Sequence, residues 1–291
     1  MKRPAYDSPS LPITWDRMEY VEGTNEYIPI HPEYKKSIDQ LYAEAEKQAL
    51  DGNPEALVNV KKEFGDNPYE LQNILKHWVR APKDNDLKVI PTDSIVIKVD
   101  KEAVRRSGMM IPGDSIPDYM HISLKGKRAL YKSELMMLEM LSEANWERPI
   151  YIAVSVGKEN QLNMENHFVQ EGLAYRFTPF DTNKTGVKID SEKMYDNLMN
   201  KFKYGGIDKP GIYIDENAMR MCLSHRRIFS QLVQQLMQEG KKDKAKAALD
   251  YAEKVIPAYN VPYDWQNGAV QMAEAYYQLG ETAKADEMMK V

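Results

Sequence analysis

The sequence has too little of several features to fit the common specialised classes of protein. Its 291 residues include a single cysteine, Cys222, which excludes an internal disulfide framework and a four-thiolate metal site. The longest apolar runs, such as residues 150–154, are far shorter than the ~20 residues of a membrane helix. An excess of positive charge is also missing, because 39 Lys and Arg stand against 44 Asp and Glu and give a formal net charge of −5. Nothing therefore supplies the excess of cations that nucleic-acid binding needs, and no nucleic-acid partner is expected.

The motifs of common enzyme classes are missing as well. The sequence has no glycine-rich nucleotide-binding motif, no Gly-x-Ser-x-Gly and no His-Glu-x-x-His. Residues 1–6 include no apolar segment of the kind found in a signal peptide. Cys222 follows two methionines near the start of an amphipathic helix, which is typical of a buried core thiol. The sequence therefore predicts no catalytic residue, no metal site and no cofactor.

Hydrophobic periodicity divides the chain into three regions. Residues 1–33 are rich in proline and aromatic residues and are predicted to form an extended arm. Residues 34–210 mix helical patterns with short β-branched runs, which predicts an α+β domain, an α/β-like sheet with flanking helices. Residues 211–291 show only helical patterns.

Within the middle region, individual segments have clear signals. The β-branched run at 95–99 and the alternating run at 120–124 predict strands. Leucines and methionines at three-to-four spacing predict a helix over 132–144. A shorter helix is predicted near 164–170, followed by a strand at 173–177.

The last region contains an internal repeat. Residues 238–245 align with residues 278–285, and Gly240 matches Gly280. With each glycine as the turn between two helices, small residues fall where helices cross closely, which is the tetratricopeptide pattern. The copies are spaced more widely than the usual ~34 residues. The sequence predicts an all-α, tetratricopeptide-like helical hairpin domain.

The first helix of each copy is expected to line a groove. Its mixed polar surface with one aromatic suits main-chain hydrogen bonding to an extended peptide. Two copies are fewer than the ~3 that make a free-standing solenoid. The alternative therefore stays open that the hairpins dock on the α+β domain and the chain itself partly occupies the groove. The candidate peptide-binding residues are Arg227, Ser230, Gln234 and Gln238 in the first copy and Asn267, Val270, Glu274 and Tyr277 in the second.

Two polar clusters were considered as sites. Glu165, His167 and Glu171 surround the short helix predicted near 164–170, but residues two apart on a helix point in different directions, which favours a solvated polar face.

The second cluster, Asp114, Asp118 and His121, lies in a turn-rich loop before a strand. It supports the alternative hypothesis of a free-standing soluble α/β enzyme that acts on a sugar or nucleotide. In that case residues 107–121 would form the mouth of a pocket.

Five strings carry a resemblance to a known family. They are 2–8 (KRPAYDS), 95–101 (IVIKVDK), 146–153 (WERPIYIA), 194–203 (MYDNLMNKFK) and 213–217 (YIDEN). Together they resemble the soluble C-terminal region of a bacterial multi-pass membrane protein family of unassigned function. That family is similar to protein O-mannosyltransferases of the GT-C type, which often bear tetratricopeptide tails.

The resemblance implies a location and a partner rather than an active site. The catalytic carboxylate of GT-C enzymes lies in the transmembrane half, so no catalytic residue is carried over to this chain. The implied location is the periplasmic face of the inner membrane, and the implied partner is the protein's own membrane-embedded N-terminal half, whose absence would account for the abrupt start at Met1. We therefore expect a non-catalytic extracytoplasmic domain that positions an acceptor polypeptide or a partner protein.

Overall fold

A computed structural model describes residues 27–80, 88–109 and 115–290. These ranges contain eleven α-helices and seven short strands, and the last six helices follow the last strand. The expected fold class, an α+β region followed by an all-α region, is confirmed. Most of the predicted N-terminal arm lies outside the described residues.

Contacts between residues divide the chain into two compact units. Of the described residues, the first unit comprises those up to 150 together with 155–168 and 177–185, and the second comprises 151–154, 169–176 and 186–290. The domain boundaries at 33 and 210 stay sequence-based predictions. In the part of the chain that the structure describes, no helix combines the length and apolar character needed to span a bilayer.

Six helices lie in the first unit, and α1 packs against α2 as a hairpin. In the sequence, Asn53-Pro54 and Asn67-Pro68 each predict an N-cap residue followed by proline at the first helical position. Pro54 does occupy the first position of α2. The second helix begins later than Pro68, because the Asn67 side chain accepts a hydrogen bond from the N–H of Tyr69 and forms a turn. The helices are α1 Tyr34–Leu50, α2 Pro54–Phe64, α3 Leu71–Ile74 (continued by a π-turn over Leu75–Arg80), α4 Lys101–Arg106, α5 Lys132–Ala144 and α6 Thr182–Thr185.

The strands of the first unit form two antiparallel pairs. β1 (Tyr27–Pro29) pairs with β4 (Ala129–Tyr131), and β2 (Ser94–Lys98) pairs with β3 (Tyr119–Ser123). Both predicted strands, 95–99 and 120–124, are therefore present within one residue. Along β3, Met120 and Ile122 are buried in the core. Because side chains alternate along a strand, His121 is exposed on the other face.

The helix predicted near 164–170 is wrong. A single 3₁₀ turn, Glu165–His167, leads directly into strand β6, Phe168–Gln170. All three residues of β6 are buried, and a phenylalanine beside a valine packs well in a buried strand. This change of element alters the environment of the first polar cluster.

The second unit begins with most of a three-stranded sheet. β5 (Tyr151–Ala153) and β7 (Ala174–Phe177) are antiparallel, and the strand order is β5-β7-β6. Helix α7 (Ser191–Asp196) follows and continues as a π-turn over Asn197–Lys201. Its N-cap is Asp190, whose carboxylate accepts from the N–H of Lys193 at 3.0 Å.

Four longer helices complete the second unit as two hairpins. α8 (Glu216–Gln238) and α9 (Lys242–Val255) are joined at Gly240, and α10 (Ala269–Gln278) and α11 (Thr282–Met288) are joined at Gly280. Helix α8 also packs against α10. A single apolar core runs through these helices, including Cys222, which is buried as predicted.

Arg226 fixes the connection between the two hairpins. The side chain is only 1% exposed, and its guanidinium donates to the carbonyl oxygens of Ile256, Val261 and Pro262 at 2.8, 2.7 and 2.7 Å. The guanidinium carbon also lies 5.0 Å from the centre of the Tyr263 ring. Main-chain carbonyls in the connection after α9 thus accept hydrogen bonds from a side chain of α8.

We expect Arg226→Met to lower the free energy of unfolding by about 3 kcal/mol or more, because it leaves three carbonyls without their donor. The measurement is urea denaturation followed by circular dichroism. Arg227→Ala is the matched control, since Arg227 is the next residue of α8 and is exposed. Equal stability of the two variants would show that the buried hydrogen bonds are dispensable.

Candidate functional site

Five of the predicted peptide-binding residues are exposed. Arg227, Gln234 and Gln238 lie on α8, and Glu274 and Tyr277 lie on α10. Their three-to-four or seven-residue spacing places them on one face of each helix. We call these five residues the polar helix face.

Tyr277 is held by a neighbour within this face. Its hydroxyl donates to the carboxylate of Asp286 on α11. The hydrogen bond raises the pKa of Tyr277, so the phenol stays neutral at physiological pH. Its ring, 45% exposed, therefore offers an apolar surface with a fixed orientation.

Ser230 does not belong to this surface, contrary to the prediction. It is 3% exposed, and its hydroxyl donates to the carbonyl of Arg227 at 2.7 Å. A Cβ at Gly268 would lie 2.4 Å from the Ser230 Oγ, so α10 begins directly against this serine. Asn267 and Val270 are only partly exposed, because both lie next to Gly268, where the start of α10 contacts α8.

Gly268 lets α8 and α10 approach each other. It begins α10 with φ +96°, while Gly280 has φ +80° and open space where a Cβ would stand. Alanine at either position adopts a left-handed conformation at a cost of about 1 kcal/mol. Only Gly268→Ala also forces Ser230 to move.

We expect Gly268→Ala to be less stable than Gly280→Ala by about 1–3 kcal/mol, the usual cost of overpacking. Thermal and urea unfolding of the two variants, compared with the wild type, measure the difference. Similar losses in both variants would mean that backbone strain alone matters at Gly268.

The alternative cluster is not assembled as the sequence predicted. Asp118 is exposed and pairs with Lys101 at 2.7 Å. Asp114 lies outside the described residues. His121 lines a cavity of about 450 Å³ in the first unit, and Asp118 is not among the residues that line it.

The remaining polar residues of this cavity come from segments that sequence reasoning did not combine with His121. Asn166 and His167 belong to the 3₁₀ turn, and Asp181 and Lys184 belong to the start of α6. The segments are distant in sequence, so no local pattern joins them.

In the first polar cluster Glu165 is exposed, as the prediction of a solvated face requires, but His167 and Glu171 are buried, which contradicts that prediction. His167 is 6% exposed, as is Glu171 in the second unit. Glu171 is fully engaged: Arg176 lies at 3.0 Å and Lys193 at 3.3 Å, and the Tyr151 hydroxyl donates to it at 3.0 Å. Glu171 is therefore a structural ion pair, whereas His167 lines the cavity.

Asp181 organises one wall of the cavity. Its Oδ1 accepts from the N–H of Asn183 at 3.0 Å and from the amide of Asn166 at 3.4 Å. Its main-chain carbonyl accepts from the N–H groups of Lys184 and Thr185 at the start of α6. The side chain of Lys184 lies 3.9 Å from Asp181 Oδ2, so the cavity carries one charge of each sign.

His167 is neutral in this environment. Burial lowers the pKa of His167, and the charge of Asp181 and hydrogen bonds to the main chain of Phe180 and Thr178 oppose this only in part. Within the described part of the chain, its Nδ1 has no hydrogen-bond partner. The ring therefore presents a neutral, unsatisfied nitrogen.

The lowered pKa of His167 makes stability depend on pH. The folded protein binds this proton less tightly than the unfolded chain, so the stabilisation is complete above the ordinary value of 6.5 and is lost as pH falls below it. We expect the unfolding free energy of the wild type to fall more steeply from about pH 7 to about pH 5 than that of His167→Phe. Urea denaturation across this range measures the slope.

His121→Gln is the matched control for this pH dependence, because His121 is an exposed histidine of the same cavity. It should keep the slope of the wild type. A slope that is unchanged in His167→Phe would contradict the assignment.

Comparison with known proteins gives one match. No curated protein and no solved structure matches the chain. The model of a protein family described as TMEM260-associated domain 2 matches residues 1–197, which include every residue that lines the cavity but none of helices α8 to α11. The match covers more than half of the sequence, so the chain belongs to the TMEM260-associated domain 2 family.

Proposed function

We propose that the chain is a non-catalytic, extracytoplasmic domain of a membrane-embedded, glycosyltransferase-like protein, in which it positions an extended polypeptide from an acceptor or partner protein. Membership of the family supports the association with a membrane protein. The resemblance of five strings to the soluble region of a GT-C-related family supports the glycosyltransferase part and a periplasmic location. The polar helix face is the observation that carries the proposal.

The chemistry of this face suits a peptide main chain. Gln234 and Gln238 each offer an amide donor and an amide acceptor, the two kinds of group that an extended peptide presents along its length. Arg227 and Glu274 balance each other's charge, so the face does not select strongly for acidic or basic sequences. Tyr277 supplies the aromatic surface that commonly dominates binding energy.

The arrangement of the helices supports a tetratricopeptide-like reading of the last region. Two helical hairpins turn at Gly240 and Gly280, and the first helices of the hairpins pack side by side. In such folds the first helices present the binding surface. The exposed residues of α8 and α10 occupy these positions.

A free-standing enzyme is less well supported. Acid–base hydrolysis of a glycosidic bond normally uses two carboxylates across the substrate. Of the described residues that line the cavity, only Asp181 is a carboxylate, and its Oδ1 is already engaged by Asn166 and Asn183. This arrangement favours binding over catalysis in the cavity.

The double variant Gln234→Ala/Tyr277→Ala tests the proposal. We expect the wild type to bind a subset of extended peptides on an array and the variant to bind them at least about tenfold more weakly, since the loss of an aromatic anchor usually costs more than 1 kcal/mol. Fluorescence anisotropy with the best peptides gives the affinities.

Tyr213→Ala is the matched control, because Tyr213 is 92% exposed and precedes α8, outside the polar helix face. It should bind like the wild type. If no peptide binds to the wild type, or if all three proteins bind equally, the polar helix face is not a peptide-binding surface.

A further inference from the structure

The cavity of the first unit is large enough for a small organic molecule. Its volume of about 450 Å³ lies within the ~300–1,000 Å³ typical of ligand pockets. All of its lining belongs to the first unit. The residues come from the loop before β3, β3 itself, the 3₁₀ turn and the segment that leads into α6: Ser115, Pro117, Tyr119, Met120, His121, Asn166, His167, Pro179, Phe180, Asp181, Lys184 and Thr185.

Flat apolar surfaces form part of the wall. Tyr119 is half exposed, so much of its ring is available to a molecule in the cavity, whereas Phe180 is buried and closes the wall. Pro117 and Pro179 add rigid apolar surface. Rings of this kind pack against C–H groups of a ligand with little loss of side-chain entropy.

The polar part of the wall contains a buried group that lacks a partner. His167 is more than nine-tenths buried, and in the ranges that the structure describes its Nδ1 has no hydrogen-bond partner. A buried polar atom left unsatisfied costs about 1–3 kcal/mol. Because Nδ1 itself is buried, a ligand group that displaces the neighbouring atoms and hydrogen-bonds to Nδ1 would recover this energy.

The charges of the cavity favour a neutral ligand. Asp181 and Lys184 offset each other across 3.9 Å, and the buried imidazole of His167 is neutral. A phosphate or carboxylate would find no surplus of positive charge here. The structure also places no group of three or more histidine, cysteine or acidic side chains suited to a metal ion anywhere in its described ranges.

We propose that this cavity is a binding site for a neutral, hydroxyl-rich small molecule, a mono- or disaccharide, with its hydroxyls on Asn166, His167 and Asp181 and a C–H face on Tyr119. Each of these three polar groups is able to hydrogen-bond a hydroxyl without requiring a charged partner. The site is independent of the peptide-binding surface, because the two sets of residues lie in different units.

The direct test is a ligand titration of the full chain observed by NMR. The probes are methyl glycosides of glucose, mannose and galactose, together with maltose and cellobiose, and inorganic phosphate is the charged comparison. We expect at least one saccharide to give saturation transfer and to shift the side-chain nitrogen signals of His167. The histidine signals report on the cavity even without a variant.

Two variants and a control locate the binding. Asn166→Ala and His167→Phe should weaken saccharide binding at least tenfold. Asn160→Ala is the matched control, because Asn160 is an exposed asparagine in the preceding 3₁₀ turn of the same unit and its side-chain amide donates to the neighbouring Glu159, outside the cavity lining.

Three outcomes would overturn the proposal: no saccharide shifts His167, the variants bind as well as the control, or phosphate binds more tightly than every saccharide. Thermal unfolding of each variant establishes that it is folded at the temperature of the titration. If Asn166→Ala or His167→Phe fails to fold, the shift of His167 in the wild type still decides the question. The peptide measurements on the polar helix face are separate, so either proposal is able to fail alone.

Discussion

The helical hairpins depend on one buried cation. The connection between α9 and α10 turns three main-chain carbonyls inward, and the guanidinium of Arg226 supplies donors to all three. Burial lowers the pKa of Arg226, and the nearby carboxylate of Glu253 opposes this effect. An arginine suits this position better than a lysine would, because its planar group directs several donors at fixed angles. The longer connection between the two hairpins thus has donors for three of its main-chain carbonyls.

Two kinds of recognition surface follow from two kinds of architecture. In the helical unit, rigid α8 and α10 present amide, charged and aromatic side chains outward at regular intervals, an arrangement suited to a long and repetitive partner. In the first unit, strand β3, a 3₁₀ turn and a short helix line an open cavity, an arrangement suited to a compact partner.

The parts of the fold that were predictable have strong local signals. Strand β2 follows from a β-branched run, β3 from alternation, α5 from leucine spacing, and the hairpin turns from Gly240 and Gly280. The exposure of Gln234 and Tyr277 was likewise predictable from helical spacing. The helix predicted near 164–170 is wrong because strand β6, in which every residue is buried, depends on contacts that are distant in sequence.

The cavity could not be predicted, because its walls come from three separate segments. His121 was identified within the 107–121 loop, but its partners Asn166, His167 and Asp181 have no sequence spacing that relates them to it. The burial of Ser230 also depends on a contact between segments that are distant in sequence, so no local pattern predicts it. Its helical position indicated exposure, and only the approach of Gly268 places it in the interior.

The contrast between the buried Arg226 and the exposed Arg227 has an evolutionary consequence. Adjacent residues of one helix serve opposite purposes, since one holds the frame together and the other faces outward. Substitutions on the outward side remove few interior contacts and change stability little. Homologous chains are thus free to diversify what they recognise while they inherit the same scaffold, and sequence drift should concentrate on the outer faces of α8 and α10.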